Sequence, residues 1–161
     1  MKIVLYRPQI PQNTGNIVRT CHATGSGLIL VRPLGFSTSN RRLKRAGLDY
    51  WEGVSVEEVD DLEKCLPSSF YFFSSKVTTP YTEVIYGEDN WLIFGSETAG
   101  LPPSFFQKWP DRFFTIPMIP GTRCLNLSNA VAVVIYEAKR QLSLHQLQKT
   151  CKYPSYQQRG D

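Results

Sequence analysis

Five short apolar runs constrain the fold of this chain more than any other feature of its sequence. They are "KIVLY" (2–6), "LILV" (28–31), "FYFF" (70–73), "WLIF" (91–94) and "FFTIPM" (113–118). Each is too short for a typical helix and rich in β-branched or aromatic residues, so each reads as a buried strand. Helical patterns fill much of the space between them. From Thr14 to Thr24 the apolar residues Ile17, Val18 and Cys21 share one side, and Gly25 and Gly27 stop the helix. "SNRRLKRAG" (39–47) reads as a short basic helix. "SVEEVDDLEKCL" (55–66) reads as an acidic amphipathic helix with Val56, Val59, Leu62 and Leu66 inward. A last helix runs from about Asn126 to Leu142. Strands alternating with helices imply an α/β fold, a mostly parallel sheet flanked by helices.

The totals are consistent with one domain over 1–161, with a core from 2 to 142 and a polar, Gln-rich tail from 143 to 161. The 161 residues suffice for one sizeable core, and 42% apolar with 20% charged residues is ordinary for a globular chain. Neither a membrane span nor a signal peptide is expected, because no apolar run approaches ~20 residues and the N-terminus reads as a strand. The net charge of +4 suits a polyanionic partner. Cys21, Cys65, Cys124 and Cys151 form no CxxC pair, and only two histidines are present, so no metal site is expected. Free thiols in a cytoplasmic protein are the reading that remains.

In parallel sheets the ligand lies beyond the carboxyl ends of the strands. That directs attention to the loops after Phe73, after Phe94 and after Ile116. "FGSETAGLP" (94–102) has two glycines after a strand but no GK[ST], so it is not a phosphate loop. Glu97 within it would repel phosphate and favour a cationic or neutral ligand. In "PQNTGNIVRT" (11–20), Asn13, Asn16 and Arg19 are spaced by three along one side of a helix start. They could grip a phosphate or ribose hydroxyl, or be a capping asparagine beside a solvated arginine. In "IPGTRCLNLSNAVAVVIYEA" (119–138) a polar loop meets an apolar block. Asn126 or Ser128 can cap the last helix, and Arg123, Asn126, Ser128 and Asn129 together exceed what capping needs. Ala130 to Ile135 leave no polar side for nearly two turns, which asks for cover by the core or by a second subunit.

Taken together, "IPQNTGNIVRTC", "RRLKRAGLDYW", "FGSETAGLP" and "IPMIPGTRCLNLSNAVAVVIYEAKRQL" give the chain a resemblance to the SPOUT-class, trefoil-knotted RNA 2′-O-methyltransferases. It is most similar to their minimal single-domain members, which methylate the wobble ribose of tRNA at position 34. The resemblance covers 2–142 and implies a C-terminal deep trefoil knot, S-adenosyl-L-methionine as methyl donor and a homodimer through the first and last helices. Donor contacts carried over by position fall on Phe73, Gly95, Ile116 and Cys124, with Met118 and Leu125 adjacent. The reactive residue matches Arg19, helped by Asn16, Asn126 and Ser128. An arginine holds its proton too tightly to be a good base, so Arg19 is expected to orient the ribose hydroxyl and stabilise charge developing on its oxygen. Cys124 departs from the small hydroxyl residue expected there. Asn13 and the cluster Arg41, Arg42, Lys44 and Arg45 are expected to contact RNA, the like charges of the cluster being costly on a helix unless a polyanion answers them.

Other readings are a 2′-O-methyltransferase for another tRNA or rRNA nucleotide, or a non-catalytic RNA-binding module. A nicotinamide enzyme is disfavoured, because "RPQIPQNTGN" stands where GxGxxG is needed.

Overall fold

A computed structural model describes residues 1–37 and 53–142. The expected basic helix at 39–47, with Arg41, Arg42, Lys44 and Arg45, and the tail 143–161 lie outside the described residues.

The described strands are β1 (Lys2–Tyr6), β2 (Gly27–Val31), β3 (Val56–Val59), β4 (Phe70–Phe73), β5 (Trp91–Phe94) and β6 (Phe113–Phe114). They form one sheet in the order β3-β2-β1-β5-β4-β6. Every pairing in it is parallel, as expected from the sequence. The strand order reverses between β1 and β5, so the sheet has a switch point where a ligand crevice is expected.

Alternation along the strands divides the core in two. Ile3, Leu5, Leu28, Leu30, Leu92, Phe94 and Phe73 face one side. There they meet Ile17, Val18 and Cys21 of α1 (Pro11–Thr24), and Val131, Val134, Ile135 and Ala138 of a long C-terminal helix. Val4, Ile29, Val31, Phe70, Phe72 and Ile93 face the other side, against Leu62, Leu101, Phe113 and Phe105 of α2 (Pro103–Lys108). The C-terminal helix, α3, spans Leu127–Gln141, within a residue or two of expectation. Its buried Val131, Val134 and Ile135 contribute roughly 1.5–3 kcal/mol each through removal of apolar area from water.

Two expectations need correction. The segment 55–66 is not a helix: Val56–Val59 is an edge strand paired with β2. Its acidic residues are answered across the sheet edge, Glu57 by Lys2 at 2.7 Å and Glu58 by Arg32 at 2.9 Å. Spacing Val56, Val59, Leu62 and Leu66 by three or four imitates a helix, but a strand followed by turns places the same residues inward. The strand expected over 113–118 keeps ladder pairing only at Phe113–Phe114, and Ile116 to Met118 leave the sheet. On α3 the core covers Val131, Val134 and Ile135 but leaves Val133 and Tyr136 37% and 46% exposed.

Candidate active site

At the carboxyl ends of β4, β5 and β6 the loops enclose a cavity of about 640 Å³. That size suits a nucleoside-sized ligand. Phe73, Gly95, Ile116, Met118, Cys124 and Leu125, the six positions carried over for the donor, all line it. Phe94 and Leu127 add apolar wall, while Ser74, Ser75, Ser96, Thr98 and Asn126 add polar groups. An adenosine needs such a lining: flat apolar surface for its base and polar contacts for its edges and sugar. The donor set therefore fits the cavity.

Loop 95–101 is held tightly. A Cβ on Gly95 would lie 2.3 Å from the carbonyl carbon of Gly100 and 2.5 Å from the Leu101 nitrogen, so no larger residue fits. Ser96 and Gly100 exchange backbone hydrogen bonds of 3.2 and 3.0 Å. Gly100 adopts φ +70°, a left-handed conformation that favours glycine. Gly95 is thus required first by the loop's closure on itself, and only through that closure by the cavity.

Glu97 has a role that the sequence does not reveal. Its carboxylate accepts from the backbone N–H of Gln9 (2.8 Å) and Ile10 (3.2 Å) and from Asn13 Nδ2 (2.9 Å). Ile10 is the N-cap of α1 and offers no capping side chain. A helix start leaves backbone N–H groups without partners and carries partial positive charge, so an acceptor from another loop is well placed there. Glu97 is engaged by α1, not held open for a cationic ligand as its position in the loop suggests. The signal for this was the sequence "QIPQN", a helix start with no Ser, Thr, Asp or Asn at the cap.

The chain of bonds continues. Asn13 Oδ1 accepts from Asn126 Nδ2 at 2.9 Å, and Asn126 Oδ1 accepts from the Ser128 backbone N–H (2.9 Å) and Ser128 Oγ (2.6 Å). Asn126 is therefore the cap of α3, and Ser128 is buried beneath it. Glu97, Asn13, Asn126 and Ser128 tie three separate motifs together at one edge of the cavity. Such networks fix geometry when every member is satisfied.

The other expected residues are placed differently. Asn16 and Arg19 are exposed on α1, and neither lines the cavity. Arg19 is six residues beyond the cavity-lining Asn13, about 9 Å along the helix. The Cys124 thiol is exposed and donates to Ser75 Oγ at 3.2 Å, replacing the hydroxyl expected at that position with another donor. Cys21 is buried, and desolvation pushes its thiol up to about 12, so it is chemically inert. Among the described residues no group of three or more His, Cys, Asp or Glu could hold a metal ion, and no helix is long and apolar enough to cross a membrane.

A profile of the SpoU rRNA Methylase family matches residues 1–136. The chain belongs to this family. Among curated relatives, the tRNA (cytidine(34)-2′-O)-methyltransferase of Escherichia coli (strain K12) is 46% identical over 147 residues, covering 88% of this chain and 94% of that protein. The enzyme of the same name from Saccharophagus degradans is 46% identical over 145 residues, with coverages of 87% and 94%. A solved structure concerned with 2′-OH methylation of C/U34 on tRNA superposes with TM-score 0.81 at 42% identity, covering 88% of this chain and 95% of that one. AviRb from Streptomyces viridochromogenes, a SpoU methyltransferase solved with AdoMet, has TM-score 0.78 at 23% identity, and covers 88% of this chain and 57% of that one. At that identity the likeness is one of fold alone.

Proposed function

We propose that this SpoU-family protein transfers a methyl group from S-adenosyl-L-methionine to the ribose 2′-hydroxyl of nucleotide 34 of tRNA, in the cytoplasm. The observation that carries the proposal is the convergence of all six donor positions on one cavity at the carboxyl ends of β4, β5 and β6. Relatives that nearly match its length carry the same activity in their names.

Phe73, Gly95, Ile116, Met118, Cys124 and Leu125 would hold the donor, within the knotted C-terminal segment implied by the family. When bound, S-adenosyl-L-methionine supplies an electrophilic methyl group on a cationic sulfur. Arg19 orients the 2′-hydroxyl and stabilises negative charge on its oxygen as its proton passes to solvent water. Asn16 lies one turn before Arg19 and helps to place the ribose. Asn126 and Ser128 act through the cap of α3, and Asn13 through Glu97, to hold the cavity edge in register with α1. Arg41, Arg42, Lys44 and Arg45 grip the RNA backbone, whereas Asn13 is buried with its amide spent on Glu97 and Asn126 and is a positioning residue, not the RNA contact expected from the sequence.

The protein works as a homodimer in this reading. Val133 and Tyr136 leave an apolar strip on α3 that a second α1–α3 pair would cover. Arg19 does not line the cavity of its own subunit, and a dimer through these helices would bring a second copy of α1 near it. A direct test compares tRNAs from cells with and without the protein: ribose methylation at nucleotide 34 should disappear without it. Its persistence, or loss at another nucleotide instead, would redirect the assignment.

A further inference from the structure

We infer that Lys76 and Arg123 form an anion-binding pair at the rim of the cavity, which takes a phosphodiester of the substrate RNA. The inference rests on the tRNA-methylation reading and adds a contact to it. Three charged side chains line the cavity: Lys76, Glu97 and Arg123. Glu97 is engaged by three donors at the start of α1. The two cations are both exposed, and no ion pair joins either to an acidic residue among the described residues. The cavity rim thus carries uncompensated positive charge.

The two cations sit on different loops, one after β4 and one before α3. These loops are joined by a side-chain bond between their immediate neighbours: Cys124 Sγ donates to Ser75 Oγ at 3.2 Å. Lys76 follows Ser75, and Arg123 precedes Cys124. Each loop is also pinned from within. The Lys76 backbone N–H donates to Ser74 Oγ at 3.2 Å, and Thr122 Oγ1 donates to the Ile119 carbonyl at 2.7 Å. Two loops joined beside their cations hold both positive charges on one rim, where a bridging anion gains from each. Both side chains are in solvent, where a polyanion can reach them without desolvating a buried site. RNA presents phosphates at close intervals, and Lys with Arg is a common phosphate pair. The carboxylate of the methyl donor is the other anion that such a pair could hold, and the test separates the two.

Prepare Lys76→Ala, Arg123→Ala and the charge-preserving Lys76→Arg. Measure binding of unmodified tRNA across a KCl series, and binding of S-adenosyl-L-methionine by calorimetry. Each alanine variant should weaken tRNA binding about three- to tenfold and reduce the slope of log K against log salt by about one. Lys76→Arg should keep the slope, and donor affinity should stay within about twofold in all three. Loss of donor affinity with unchanged tRNA binding would overturn the inference in favour of the donor's carboxylate. Unchanged affinity for both would overturn it as well, leaving two solvated cations. Mapping the methylated nucleotide with the unaltered protein tests the parent reading separately, so its failure is not confused with failure of the pair.

Discussion

Two carboxylate-bearing regions, one at the β3 edge of the sheet and one in the loop after the interior strand β5, solve different problems. At the β3 edge, Glu57 and Glu58 meet Lys2 and Arg32 in solvent-exposed pairs. At the cavity, Glu97 meets two backbone N–H groups and an asparagine amide, and is only partly exposed. The edge pairs blunt an open strand against unwanted pairing, and each can be lost at little cost. The cavity carboxylate replaces a missing helix cap and is the first link of a chain reaching Ser128 of α3. Charge at the edge serves solubility, whereas charge at the site fixes where α1 stands relative to the cavity.

The largest expected effect belongs to the residue that this positioning serves. Arg19→Ala should abolish methyl transfer while leaving donor affinity nearly intact, because Arg19 does not line the cavity. Calorimetry that finds donor binding lost would move Arg19 to the donor side and undo the division of roles. Next comes the apolar strip of α3. Val133→Asp with Tyr136→Asp should convert the proposed dimer to a monomer, as read by light scattering at micromolar concentration. A protein already monomeric before substitution would remove the basis for that prediction.

The comparison itself is tested by substituting each carboxylate. Glu97→Ala leaves the Gln9 and Ile10 N–H groups at the entry to α1, and the Asn13 amide, without their acceptor. It should cost about 2 kcal/mol in denaturant unfolding, together with a clear fall in transfer rate. Glu97→Gln keeps one acceptor oxygen and should fall between. Glu57→Ala removes one exposed pair and should cost less than about 1 kcal/mol, with transfer unchanged. Equal costs at Glu97 and Glu57 would show that the two regions do not differ as described.

What could be read in advance follows the same division between local and distant information. Most strands were legible because short runs such as "LILV" and "WLIF", rich in β-branched or aromatic residues, favour a buried strand over a helix. The cavity residues were legible because loops after parallel strands converge by topology, and the resemblance placed the donor on those loops. The strand β3 was not, because Val-Glu-Glu-Val carries the same spacing as one helical turn and its cross-sheet cations are distant in sequence. Glu97 was not, because its partners Gln9, Ile10 and Asn13 lie more than 80 residues away, and only the uncapped start of α1 hinted at them. The uncovered strip on α3 was half legible: the apolar run is plain in the sequence, but which side the core leaves open depends on how α3 packs over β5 and against α1.

One measurement bears most directly on the central claim that the cavity holds a methyl donor for a ribose presented beside α1. Incubate the purified protein with labelled S-adenosyl-L-methionine and unmodified tRNA, digest the product, and locate the label. The account predicts one methyl group, on the 2′-oxygen of nucleotide 34. Label on a base, or no label on RNA at all, would contradict it.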